Sequence, residues 1–368
     1  MSRVLLLIKG LGRGGAEQLL ASAARYLDRD RFSYEVAYLL PWKDALVGEL
    51  ESTGLPVHCL QGGRGVGWVA RLRSLVRERG FQLVHAHSPV PAVGARLSLP
   101  RRSDVRIVYT EHNVWERYHR ATYCANVLTF PRNDYVFAVS ERVHASIRYP
   151  LPLRSFRMPL VETRYYGIDP TPARPRERAD GVLEELGIPR GTPVVGNVGN
   201  FKPGKGHRYL LLAAERVREV LPEVRFVIVG QGPLEPAIRR RTREMGVESM
   251  FVFAGYREDV SRVMSAFDVL AVPSIHDGLS IALLEAMSLG RPAVVTRAGG
   301  NPEVVRDGEH GLVVPPADPD ALAEAIITLL RDGGLRARFG DAAKRRAADF
   351  DIRVAVRRTE EIYEGLLC

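Results

Sequence analysis

The stretch that most constrains this chain runs from Pro273 to Val305. The apolar run Val269–Val272 has the length of a buried strand, and it empties into a polar, glycine-bearing loop, Ser274 to Gly278, before an apolar segment begins. From Ile281 to Leu289 that segment is apolar on nearly every side, the mark of a buried helix, yet it carries one carboxylate, Glu285. A buried charge is costly unless a partner or ligand meets it. Ser280 stands where it can cap the helix, and the unpaired amides of the first turn, with Gly278 allowing close backbone approach, make an anion site. Asp277 lies at the mouth of the same turn. Amides for a phosphate, one carboxylate for hydroxyls inside and another at the rim suit an anionic, polyhydroxylated ligand; a glutamate paired with a basic neighbour is the plainer alternative.

Strand-like and helix-like stretches alternate along the whole chain. Strands are expected at Val4–Ile8, Tyr34–Leu40, Leu83–His85, Ile107–Thr110 and Tyr135–Val139, then again at Thr192–Val198, Arg225–Val229, Met250–Phe253, Val269–Ala271 and Ala293–Thr296. Helical patterns such as Ala16–Leu27 and Val66–Arg79 lie between the early ones. This is the rhythm of parallel sheets covered on both faces, which bind ligands at the carboxyl ends of their strands. The 368 residues suffice for two such domains, and Pro170, Pro172 and Pro175 mark the expected linker.

Several strand-end loops carry chemistry. Gly10 to Gly15 matches the dinucleotide fingerprint at Gly10, Gly12 and Gly15, but Leu40, Pro41 and Trp42 stand where a nicotinamide enzyme needs an acid for the ribose. Gly199 to Gly206 is one residue short of a phosphate-binding P-loop, because Gly206 replaces the hydroxyl residue that ligates magnesium. That excludes an ATPase of this type, while a lysine at a helix N-terminus, Lys205, still suits phosphate. His85, His87 and His112 follow strand ends; a metal site is one reading and loop orientation the other. From Val114 to Phe130 a helix-compatible run interleaves Trp115, Tyr118, Tyr123 and Phe130 with Arg117 and Arg120, as a clasp for an acceptor or membrane interface, or as core with a solvated face.

The net charge of +9 is uneven: residues 1–170 hold 24 Lys+Arg against 15 Asp+Glu, and the remainder 28 against 28. The excess suggests an anionic partner for the first half, a membrane surface or lipid-linked phosphate, or a solvated face with none. No nucleic-acid reading motif accompanies it. Three scattered cysteines fit neither a disulfide framework nor a cysteine zinc site, and Val4–Ile8 is too short for a signal peptide or membrane span, so a cytoplasmic protein is expected, peripheral at the inner membrane face if the basic half docks there.

Asp277 and Glu285 with Ala286-Met287, preceded by Pro273-Ser274 and followed by Gly290-Arg-Pro292 and Gly299-Gly-Asn-Pro-Glu303, resemble the donor-binding signature of retaining glycosyltransferases of family 4. That family has glutamate where Asp277 stands and an arginine where Asn200 stands; Lys202 is a candidate substitute cation. The resemblance implies the GT-B fold, two Rossmann-like domains with parallel sheets facing a central cleft. Residues 1–170 would be the acceptor domain, 171–351 the nucleotide-sugar domain, and helix 352–368 would pack back on the first. It also implies site residues. Lys205, Gly206, Gly278 and the amides of Leu279, Ser280 and Ile281 would hold the donor diphosphate, with Asn200 and Lys202 in the same loop. Glu285 would hold the ribose diol, Asp277 the sugar hydroxyls, and Tyr256 and Arg257 would lie along the base. Gly14 and Gly15 would sit near donor and acceptor, and His112 beside the transferred sugar.

The implied reaction is transfer of a hexose-type sugar from a UDP- or GDP-linked donor to an acceptor hydroxyl, in glycan, glycolipid or envelope polysaccharide synthesis, with no cofactor or metal. The alternatives are a glycoside hydrolase using Asp277 and Glu285, a phosphorylase on the same architecture, and an inactive nucleotide-sugar-binding scaffold.

Overall fold

The computed structural model describes residues 1–61, 65–100, 104–149, 158–169 and 179–368; the expected linker prolines 170, 172 and 175 lie outside them. The chain forms two compact units, Met1–Asp169 with Asp351–Cys368, and Pro170–Phe350.

The first unit is a seven-stranded sheet of β1 (Ser2–Ile8), β2 (Phe32–Tyr38), β3 (Val57–Cys59), β4 (Leu83–His87), β5 (Arg106–Glu111), β6 (Tyr135–Ala138) and β7 (Leu160–Thr163), in the order β3-β2-β1-β4-β5-β6-β7. Every pairing is parallel. Burial on both faces explains why β1 reads as an unbroken apolar run. Leu5 and Leu7 face one core layer with Leu72, Ala92 and Val127, whereas Val4, Leu6 and Ile8 face the other, with Leu20, Ala21 and Tyr363. That second layer lies under the helix Gly15–Ala23 and the C-terminal helix Ile352–Leu367. Asp351 caps the latter by accepting from the Arg353 amide at 2.8 Å. The helix is tied to the sheet by Tyr363, whose hydroxyl meets His85 Nδ1 at 2.5 Å, and by Glu360, which accepts from Tyr34 Oη at 2.7 Å and the Asp28 amide at 2.8 Å. Gly167 allows its approach, since a Cβ there would lie 2.2 Å from the Ile352 nitrogen.

The second unit is a six-stranded parallel sheet of β8 (Val194–Val198), β9 (Arg225–Val229), β10 (Phe251–Gly255), β11 (Val269–Val272), β12 (Ala293–Thr296) and β13 (Gly311–Val314), ordered β10-β9-β8-β11-β12-β13. The chain leaves β8 toward one edge and returns at β11 to build the other. The boundary between β8 and β11 is therefore the topological switch point, where open α/β sheets bind ligands.

Three short edge strands, β3, β7 and β13, were not expected from the sequence. Three or four residues of mixed exposure carry too little periodicity to separate a strand from a loop. The run Val114–Phe130 is not one helix: a 3-10 turn, Trp115–Arg117, precedes a helix over Arg120–Thr129. Glu111 explains the break. Its buried carboxylate accepts from Tyr109 Oη at 2.6 Å, Trp115 Nε1 at 2.8 Å, the Asn113 amide at 3.2 Å and the Tyr118 hydroxyl, folding the segment back over itself. Trp115 and Phe130 are consequently core, not an exposed clasp. No helix of the described residues is long and apolar enough to cross a membrane.

Candidate active site

In the second unit the loops leaving β8, β11 and β12 are stitched together by their backbones. Gly206, at φ +71°, lies so close to the Pro273 carbonyl that a Cβ would stand 1.8 Å from it, and the Gly204 carbonyl accepts from the amides of Ile275 at 2.9 Å and His276 at 3.2 Å. Gly299, at φ +56°, makes the same approach to the Asp277 carbonyl, while the Gly300 amide donates to Gly278 at 2.7 Å. Only glycine fits these two positions, because the left-handed backbone and the missing side chain are both required.

This stitching brings Lys205 and Asp277 together. Lys205 Nζ lies 2.6 Å from Asp277 Oδ2, which also accepts from Ser274 Oγ at 3.2 Å, and Oδ1 accepts from the Gly278 amide at 3.1 Å. The amides of Leu279, Ser280 and Ile281 have no acceptor within reach among the described residues. Ser280 occupies the N-cap position, but its hydroxyl makes no capping bond, contrary to expectation; it is buried, and the first turn is left open to an external acceptor. One turn further in, the Glu285 carboxylate has neither an ion pair nor a hydrogen bond among the described residues, so the reading that pairs it with a basic neighbour fails. Burial pushes its carboxyl up to about 7.

Other expected residues stand differently. Lys202 is exposed, and Asn200 is half-buried in the same loop after β8. Tyr256 is exposed after β10, whereas the neighbouring Arg257 is held by Asp259 Oδ1 at 2.7 Å and by Glu185.

The first unit carries its own cluster at the ends of β4 and β5. His85 stacks on His87 at 4.4 Å, His87 Nδ1 lies 3.3 Å from His112 Nε2, and His112 stacks on Tyr166 with ring centres 5.4 Å apart. Burial, reinforced by the Arg164 charge, holds the His112 imidazole neutral, its pKa pushed down to about 3. His85 is bonded through both ring nitrogens, to Tyr363 and to Thr110 at 2.7 Å, which removes it as a metal ligand, and no group of metal-binding side chains occurs among the described residues. Tyr166 and Arg164 were not singled out as site residues from the sequence; only the β7 pairing carries them to His112. Gly14 and Gly15 begin the helix after β1, in a loop tied to the next by the Leu11 amide on Lys43 at 2.6 Å.

Two Rossmann-like parallel-sheet domains in one chain, with a phosphate-suited loop at the second switch point, are the GT-B architecture of nucleotide-sugar glycosyltransferases. Comparison with known proteins carries this further. The model for "Glycosyltransferase Family 4" matches residues 13–160 and that for "Glycosyl transferases group 1" matches residues 192–332. The Bacillus subtilis protein EpsD is 24% identical over 322 residues, 81% of this chain and 80% of EpsD. The D-inositol 3-phosphate glycosyltransferase of Corynebacterium glutamicum is 35% identical over 192 residues, 50% of this chain and 46% of that protein, so the similarity spans about half of that relative's length. Among solved structures, Anabaena HepE in complex with UDP-glucose superposes with a TM-score of 0.87 at 23% identity, covering 99% of this chain and 100% of HepE. The chain belongs to glycosyltransferase family 4. It is a retaining, hexosyltransferase-type enzyme that takes its sugar from a nucleotide sugar.

Proposed function

We propose that the chain transfers a hexose from a UDP-linked donor to a hydroxyl of a glycan or lipid-linked acceptor, with the donor held by the second unit. The observation that carries this is the Lys205–Asp277 pair set beside the open first turn of Ile281–Ser288 and the partnerless Glu285. A diphosphate carries more charge than one carboxylate. On arrival it would draw Lys205 from Asp277 and accept from the amides of Leu279, Ser280 and Ile281. Asp277, released, would accept from sugar hydroxyls, and Glu285 from the ribose diol. As the glycosidic bond breaks, negative charge grows on the departing diphosphate, where the lysine and the helix N-terminus already point; that is leaving-group stabilisation by fixed charge. His112, kept neutral, can offer or accept a single hydrogen bond without adding a charge. Tyr256 and Arg257 would lie along the base. Uracil is favoured over guanine because HepE was solved with UDP-glucose.

The basic first unit fits an acceptor that is anionic or anchored at an anionic membrane. Thermal shift with UDP, GDP, ADP and their sugar conjugates tests the proposal, since a ligand that binds only the folded protein raises its melting temperature. A larger shift for one UDP-sugar than for UDP supports it. No shift with any nucleotide would overturn it.

A further inference from the structure

The first unit contains a cavity of about 60 Å³ between its sheet, the helix Gly15–Ala23 and the C-terminal helix. Its wall is apolar from Leu6, Leu20, Leu27 and Val356, and among its polar side chains Arg164 and His87 stand toward the strand ends. His87 is 6% exposed, and its Nε2 has no hydrogen-bond partner. The Arg164 Nε is likewise buried and unpartnered. That guanidinium donates to the Ala355 carbonyl at 3.0 Å and lies over the Phe137 ring at 4.0 Å, but it has no carboxylate partner among the described residues. Glu162, the nearest acid in sequence, is taken by Arg358 at 2.8 Å, and the one carboxyl on the cavity wall, Glu360, is taken by Tyr34 and the Asp28 amide. Buried polar groups are normally satisfied, and a cation is the costliest to leave alone. Two unsatisfied nitrogens on side chains that line one cavity therefore indicate a ligand.

We propose that this cavity binds a short-chain carboxylate. Its oxygens accept from Arg164 Nε and from His87 Nε2, and its alkyl group fills the space among Leu6, Leu20 and Val356. Binding selects the His87 tautomer protonated at Nε2, with Nδ1 accepting from His112 Nε2 at 3.3 Å. The volume limits the alkyl part to a few carbons. The carboxylate is either a free small acid or a carboxyl group carried by the acceptor. All the residues involved lie in the first unit, so the site stands apart from the donor assignment.

The test uses the intact enzyme, with isobutyrate as probe and isobutyramide as its neutral twin, followed by calorimetric titration and by the ¹⁵N signals of the histidine rings. Isobutyrate should bind saturably, shift the His87 signals and bind at least tenfold more tightly than the amide. Arg164→Met should weaken binding more than tenfold, Arg164→Lys less, and Ala23→Leu, which fills the cavity, should abolish it; circular dichroism melts confirm that each variant is folded. Equal binding of the amide, indifference of folded Ala23→Leu or Arg164→Met, or no saturable binding by folded wild type would overturn the proposal. Inhibition of transfer relieved by acceptor would assign the carboxyl to the acceptor; binding without such competition would assign it to a free acid. A failed thermal shift with nucleotides alongside normal isobutyrate binding would count against the donor reading alone.

Discussion

Lys205 Nζ and Asp277 Oδ2 lie 2.6 Å apart although 72 residues separate them in the chain. One belongs to the loop after β8 and the other to the loop after β11, and the switch point of the sheet makes these loops neighbours. The pair is partly exposed, at 30% and 13% of side-chain area, so it contributes only about 0–1 kcal/mol to stability. Its position, not its strength, is what matters. Lys205→Ala should lower affinity for UDP at least tenfold while the melting temperature moves by only a few degrees. Asp277→Asn should leave UDP binding within a few-fold and cut transfer much more. Calorimetric titration and initial rates check both; unchanged UDP affinity in Lys205→Ala would remove the lysine from the site.

Glu285 gives a pH dependence with a definite sign. Its carboxyl is raised from the ordinary 4.5 to about 7, so in this window the native state keeps a proton that the unfolded chain has lost. Its stabilising contribution is present below about 4.5 and is lost as pH rises through about 7. Glu285→Gln should therefore be more stable than wild type at pH 8, by about 3 kcal/mol, and nearly equal at pH 4.5. Denaturation midpoints at both pH values measure this. If ribose hydroxyls donate to the ionised carboxylate, UDP binding at pH 6 should also release a proton, visible as a dependence of the calorimetric heat on buffer.

Gly299→Ala places a Cβ 1.8 Å from the Asp277 carbonyl at a residue with φ +56°. Both the clash and the left-handed backbone oppose it, and the expected cost is at least about 2 kcal/mol. Because the displaced group is the Asp277 backbone, turnover should fall further than stability explains. A variant with wild-type melting temperature and activity would contradict the close approach.

Glu111→Ala should be among the most destabilising changes in the first unit. It removes the acceptor for Tyr109 Oη, Trp115 Nε1 and the Asn113 amide in a fully buried place, at about 1–3 kcal/mol for each donor left unsatisfied. A total loss above about 3 kcal/mol, read from denaturant unfolding alongside quenching of Trp115 fluorescence, is expected. A loss below about 1 kcal/mol would show that water replaces the carboxylate there.

The sequence by itself determined the two parallel-sheet domains, because strands buried on both faces must be written as continuous apolar runs, and such runs recur with helical spacing between them. It also marked Glu285, since one carboxylate in an otherwise apolar helix stands out without any knowledge of neighbours. What it could not supply was anything set by contact between distant segments. The helix expected through Val114–Phe130 was broken by Glu111, whose reach across the fold no local periodicity records. The edge strands β3, β7 and β13 form by pairing with a stronger neighbour. The Lys205–Asp277 pair, the grouping of His87, His112, Tyr166 and Arg164, and the carboxylate-sized cavity beneath the C-terminal helix come only from strand order, because the sheet decides which loops and which side chains share one end.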